Sequence, residues 1–100
     1  MDITINNRQY KIKLTLRALI LFEKVAGTSF KFDTLSDQIL YLYCLILANN
    51  EDVDINIDDL IEAMDNDPAI LLKYFEFLTK ESTRNAELKE DNTADESKKV

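Results

Sequence analysis

Apolar and polar residues alternate at the start of the chain: Thr4 separates Ile3 from Ile5, and Lys11 and Lys13 separate Tyr10, Ile12 and Leu14. A period of two places each apolar set on one face of a strand, so the pattern predicts an N-terminal β-hairpin. A loop at Asn7 and Arg8 would set Ile5 against Tyr10 and Ile3 against Ile12, whereas a loop at Asn6 and Asn7 would set Ile5 against Arg8. Apolar cross-strand pairing favours the first register, with Asn7 suited to positive φ. A two-stranded hairpin is marginal by itself in water, so helices must cover its apolar face.

The period lengthens after Thr15. Thr15 can cap a helix running to about Ala26, with Gly27 as its stop, and Ala18, Leu19, Leu21, Phe22, Val25 and Ala26 form a broad stripe that Leu16 and Ile20 widen. A second helix is expected from near Thr34 or Ser36 to Asn49 and Asn50. Its centre, residues 39–48, is apolar on every side, which calls for a central helix or one partly covered by a partner. Asn56 or Asp58 can open a short third helix to about Met64, with Leu60, Ile61 and Met64 on one side. Asp67 followed by Pro68 is a helix start, since Asp caps and Pro at the first helical position loses no needed hydrogen bond. That last helix should reach about Lys80, turning Ile70, Leu71, Tyr74, Phe75 and Leu78 inward, with Leu72 and Phe77 widening the face. From Ser82 onward apolar residues are too sparse to offset the cost of ordering, so a flexible polar tail is expected. The expected fold is α+β, mainly α: a two-stranded antiparallel hairpin and about four helices in a domain of residues 1–81, then a tail of residues 82–100.

Composition sharpens this picture. At 100 residues, 46% of them hydrophobic, the chain supports one domain with a modest core. The one cysteine, Cys44, lies in the most apolar stretch and is expected to be a small buried hydrophobe. No signal peptide is evident after Met1, and the longest apolar run is about half of the roughly 20 residues that span a bilayer. These features predict a protein of a reducing cytoplasm that does not span a membrane. The net charge of −7 argues against nucleic-acid binding, which rests on Lys and Arg neutralising phosphates. Its distribution is uneven. Residues 1–31 hold six basic side chains against two acidic ones, a balance of +4, while residues 32–72 hold ten acidic side chains and no Lys or Arg. This dipole can be neutralised within one fold, the favoured arrangement, or between neighbouring copies.

The candidate chemistry is sparse. The chain has no His, the commonest general base and zinc ligand, and its lone Cys permits neither a cysteine metal site nor a redox pair. One Gly cannot build a phosphate-binding loop. The segment from Asp52 to Asp58 resembles the opening of an EF-hand loop, but counting from Asp52 the sixth position is Ile57 rather than Gly and the twelfth is Ala63 rather than Glu. No enzyme activity, metal or cofactor is therefore expected, and carboxylates are read as solvated surface and helix caps. What remains is apolar surface. About 80 ordered residues have difficulty enclosing so many large side chains, so an exposed patch serving self-association or partner binding is expected. The candidate contact residues are Leu16, Ile20, Tyr41, Tyr43 and Phe77, Tyr being suited to such a surface by its apolar body and polar tip.

The residues Ile3-Thr4-Ile5-Asn6-Asn7-Arg8-Gln9-Tyr10-Lys11-Ile12-Lys13-Leu14, then Arg17-Ala18-Leu19, Phe22-Glu23 and Gly27-Thr28-Ser29-Phe30, resemble the N-terminal half of the small tail assembly chaperones of siphophages and related prophages. In that family a hairpin of the form I-x-I-N-G-K-x-Y-x-L leads into a helix reading R-A-L-x-x-F-E-x-x-T-G-x-S-F. The acidic stretch before Leu60 and the run Met64-Asp65-Asn66-Asp67-Pro68 resemble its second half, so the likeness covers residues 1–80. The chain departs from the pattern at Asn7, where Gly is usual, and at Ala26, where Thr often precedes the Gly. The motifs are structural and carry no catalytic or binding residue across. The resemblance implies a non-virion protein of the bacterial host cytoplasm that coats apolar helical parts of the tape measure protein before the tail tube assembles, with tube protein a further partner of a frameshifted longer product. Two other roles fit the same composition: a structural tail or head-completion protein retained in the virion, and an acidic DNA mimic that inhibits a host protein.

Overall fold

The computed structural model describes residues 1–81, and the expected tail of residues 82–100 lies outside the described residues. Strands β1 (Asp2–Ile5) and β2 (Arg8–Lys11) form an antiparallel hairpin, and helices α1 (Leu16–Ala26), α2 (Leu35–Asn49) and α3 (Ile57–Asn66) follow. A fourth helix, α4, occupies residues 69–81. The fold is thus α+β and mainly α, with the hairpin first and four helices after it. The chain divides into two compact units, Met1–Ile70 and the part beginning at Leu71.

The hairpin register differs from expectation. Ile5 pairs with Arg8 and Ile3 with Tyr10, so the loop is Asn6-Asn7 and not Asn7-Arg8. Turn chemistry decides this: Asn6 (φ 53°) and Asn7 (φ 67°) both take the left-handed conformation that a tight two-residue hairpin loop requires, and Asn tolerates it best among non-glycine residues. The two registers differ by two residues on one strand, which leaves every side chain on its original face, so apolar alternation cannot tell them apart. Arg8 also has an occupation that makes its place opposite Ile5 favourable. Its guanidinium lies 4.9 Å from the centre of the Tyr10 ring and donates to the carbonyls of Glu51 and Asp52, each at 2.6 Å. Beyond β2, Ile12 and Met1 extend the ladder, with the Ile12 N–H donating to the Met1 carbonyl at 2.7 Å.

The helix boundaries follow from their caps. Thr15 accepts from the Ala18 N–H at 3.2 Å, and α1 stops at Gly27, whose φ of 73° is readily available to glycine and whose N–H donates to the Glu23 carbonyl at 2.9 Å. Thr34 and Asp37 form a reciprocal capping box at the start of α2, and Asn56 and Asp59 form another at the start of α3. The Asp67 carboxylate accepts from the Ala69 N–H at 3.2 Å, opening α4 past Pro68.

Within the first unit α2 is the hub, touching α1, α3 and β2. Leu42, Cys44, Leu45 and Ile46 of α2 are fully buried, with Ile3, Ile5 and Tyr10 from the hairpin and Leu60 from α3 buried in the same unit. Burial pushes the Cys44 thiol up to about 11, which keeps it protonated and inert at neutral pH. The end of α2 is fastened to the hairpin by asparagines. The Asn50 side chain accepts from the Lys11 N–H and donates to the Lys11 carbonyl, both at 2.9 Å, much as a neighbouring strand would. Asn49 donates to the Lys13 carbonyl at 2.8 Å, and the two amides also serve the Leu45 and Ile46 carbonyls at the C-terminus of α2.

Candidate partner-binding surfaces

The residues that carry the family resemblance build a corner of the fold. Phe22 of α1 meets Phe30 edge to face at 5.0 Å between ring centres, and Phe30 meets Tyr41 of α2 in the same way at 5.0 Å. Phe32 closes the cluster against Tyr41 at 5.9 Å. Glu23 serves the corner twice, its carbonyl capping Gly27 and its carboxylate accepting from the Phe30 N–H at 3.3 Å. The run Phe22-Glu23, Gly27 and Phe30 therefore ties the connection after α1 back onto α1, which explains its spacing without any chemistry.

The five candidate contact residues fall in different surroundings. Leu16 is 72% exposed and Ile20 is 45% exposed, and being four apart they lie side by side along α1. Tyr41, by contrast, is only 7% exposed and belongs to the aromatic cluster. Tyr43 is half-buried, and its hydroxyl donates to the Ile55 carbonyl at 2.9 Å, holding the connection before α3. Burial pushes both tyrosine hydroxyls above their ordinary value, with Cys44 adding to the effect. Phe77 lies in the second unit and is half-buried. Among the described residues of that unit Leu72 is the exposed large hydrophobe, over a shallow depression of about 360 Å³ shared with Phe75 and Thr79.

Sequence reasoning missed a second apolar surface in the first unit. Leu35, Ser36 and Ile39 of α2 and Ile57 and Ile61 of α3 line a groove of about 220 Å³, with Leu35 55% and Ile61 39% exposed. Leu60 and Met64 are buried as expected, but Ile61 faces outward from them. The signal was present in the capping. A helix capped by Asn56 begins at Ile57, and Ile57, Leu60, Ile61 and Met64 then form a stripe wider than one short contact can cover. Leu35, directly after the Thr34 cap, stands at the open end of α2.

The acidic connection gathers its groups around an internal cation. Arg8 is bound by the carbonyls of Glu51 and Asp52 and pairs with the Asp54 carboxylate at 3.6 Å, while Tyr10 donates to Asp54 at 3.3 Å. Burial pushes the Tyr10 hydroxyl up, opposed by Arg8 and helped by Asp54. Arg8 and Asp54 thus form one ion pair within the fold between the basic and the acidic segments. In the first turn of α2 Asp37 accepts from the Asp33 and Thr34 N–H groups, each at 3.1 Å. Burial would raise its carboxyl, but these hydrogen bonds, with Lys31 nearby, hold it below the ordinary value. Among the described residues no group of three or more His, Cys, Asp or Glu side chains is placed to hold a metal ion, and no helix is long and apolar enough to cross a membrane.

Compared with known proteins, the chain matches no family model, no curated protein and no solved structure.

Proposed function

We propose that the protein is a phage tail assembly chaperone, which binds apolar helical stretches of a tape measure protein and keeps them soluble until the tail tube forms around them. The observation that carries this reading is the exposure of large apolar side chains on ordered helices, Leu16 and Ile20 on α1 and Leu35 and Ile61 beside the α2–α3 groove. Aliphatic side chains in rows at helical spacing suit an amphipathic helix laid along them. The hairpin and corner residues that resemble the chaperone family supply the second support, and the chain's net charge of −7 would keep a coated apolar helix in solution. Binding, with no chemical step, is the whole of the activity in this reading, and it belongs in the cytoplasm of the infected cell.

The test is co-expression with a long helical tape measure protein from a siphophage tail operon, followed by purification on a tag carried by the chaperone. A soluble complex that persists in high salt is expected, because apolar contact survives screening. Recovery of the chain alone, with the tape measure protein insoluble, would refute the role. A complex dissolved by moderate salt would instead favour a charge-based mimic.

A further inference from the structure

The groove between α2 and α3 has one charged bank. Its apolar floor comes from Leu35 and Ile39 on α2 and from Ile57 and Ile61 on α3, each pair four residues and so about 6 Å apart along its helix. Next around α3, on the side away from buried Leu60 and Met64, stand Asp58, Glu62 and Asp65. Their spacing of i, i+4 and i+7 makes a second stripe, turned by about 90° from the isoleucine row and running along its outer edge. All three are exposed, and among the described residues none of them forms an ion pair within the chain. The opposite bank, at Ser36, is uncharged. No Lys or Arg occurs in residues 32–72. Lys31, just before them, lies near Asp37, which stands two positions from both Leu35 and Ile39 and so points to the other side of α2. The groove therefore offers an apolar floor about one turn long beside an unpaired row of carboxylates.

We infer that this groove takes a basic-edged amphipathic helix of another protein. Two apolar side chains of that helix, one turn apart, seat between α2 and α3, and its Lys or Arg edge meets Asp58, Glu62 and Asp65. The apolar floor supplies the affinity, since burying aliphatic side chains is favourable whatever helix carries them. The acidic bank supplies the choice, because an acid-edged helix would bring like charge against it whereas Lys or Arg would be paired. This inference deepens the chaperone reading by naming the kind of helix that one of its surfaces selects, and it rests on that reading for the groove's being a place where helices bind.

Fluorescence titration of the full chain with labelled helical peptides about 20 residues long tests it. The peptides share one leucine face and carry Lys, Gln or Glu along one edge. The Lys-edged peptide should bind saturably and about tenfold or more tightly than the Glu-edged one, with the Gln-edged peptide between them. Added salt should narrow that preference and leave the Gln-edged peptide bound, since its contact has no charge to screen. Leu35→Ser with Ile61→Ser should weaken all three. Asp58→Asn, Glu62→Gln and Asp65→Asn together should remove most of the preference, and Asp58→Lys, Glu62→Lys and Asp65→Lys together should invert it, a gain that a damaged fold cannot imitate. Circular dichroism checks that each variant is folded. Removing two carboxylates away from the groove, by Glu51→Gln and Asp52→Asn, should leave the preference in place. Failure of the Lys-edged peptide to bind saturably overturns the inference, as does equal binding of the Lys- and Glu-edged peptides. So does a preference that survives the changes at the groove, or that the changes at Glu51 and Asp52 remove as well. Self-association of the chain that Leu35→Ser abolishes would put a second copy in the groove and also overturn it. A tape measure complex that forms while the peptides show no preference defeats this inference alone, and a peptide preference with the tape measure protein left insoluble defeats the chaperone reading alone.

Discussion

The two halves of α2 both carry Leu and Ile, yet they differ in burial. Its later half is the covered one, with Tyr41 through Ile46 buried apart from Tyr43 and residues 47–49 half-buried, while in its first turns Leu35 is open to solvent and Ile39 lines a groove. Leu and Ile occur in both halves, so hydrophobicity of the residue does not decide burial. Neighbours do. The far half is covered from several sides, by the aromatic corner at Tyr41, by the connection before α3 at Tyr43, and by the hairpin clamped to Asn49 and Asn50. The first turns have α3 beside them but keep a gap. A small domain can thus close one end of a central helix and leave the other as surface.

The largest effect should come from opening the closed half. Leu45→Ala removes a fully buried side chain and is expected to cost about 2–5 kcal/mol, measured by urea unfolding. The neighbouring Cys44 provides an independent reading. Its thiol is buried and raised to about 11, so a thiol reagent should label the native protein only as fast as it opens, and Leu45→Ala should speed that labelling. Rapid labelling of the wild type under native conditions would show that this half is not closed.

Arg8→Ala comes next, with an expected loss of about 1–2 kcal/mol. The substitution frees the Glu51 and Asp52 carbonyls and removes the ring contact with Tyr10, while the partly exposed pair with Asp54 adds little. Arg8→Lys should recover only part of the loss, because an ammonium cannot bridge two carbonyls with a planar fork. Full recovery by Lys would mean that charge, not geometry, holds the hairpin to the acidic connection.

The capping box at the start of α2 ranks third and adds a dependence on pH. Thr34→Ala removes the acceptor for the Asp37 N–H and should cost about 1 kcal/mol. Asp37 has a folded carboxyl held below its ordinary value of 3.8, so its contribution is present in full above that value and disappears as pH falls through the depressed folded value. The difference in stability between the wild type and Asp37→Asn should therefore be largest at neutral pH and close on acidification below about 3.8. A difference that stays constant to low pH would assign the effect to shape and not to charge.

How much of this was legible in the sequence depends on how local the deciding interaction is. Caps act over three or four residues, so Thr15, Gly27 and Asp67 mark their helix ends directly. The hairpin register is not legible in the sequence, because both registers keep the same faces and the advantage of Arg8 opposite Ile5 lies in carbonyls more than forty residues away. The burial of Tyr41 is not legible in the sequence, because Phe30 and Phe32, which cover it, lie in a connection with no periodicity to announce them. Leu16 and Ile20 are placed at the surface, since they widen a stripe whose centre, Ala18 and Phe22, is already committed to the core. The groove was missed because a short helix hides its register until its cap is fixed.

The smallest effect on stability is the most informative about the open half. Leu35→Ser should change the free energy of unfolding by no more than about 0.5 kcal/mol, since the side chain is mostly exposed and contributes little burial that can be lost. Ile61→Ser, somewhat less exposed, should cost slightly more but remain well below Leu45→Ala. If binding uses this groove, both substitutions should weaken capture of an apolar helix far more than they weaken the fold, because the contact replaces water around side chains that the isolated chain leaves wet. The ratio of the two effects separates a docking surface from a thinly covered core. A loss of stability at Leu35 comparable to that at Leu45 would mean that the two ends of α2 are not different after all, and that the groove is closed in solution.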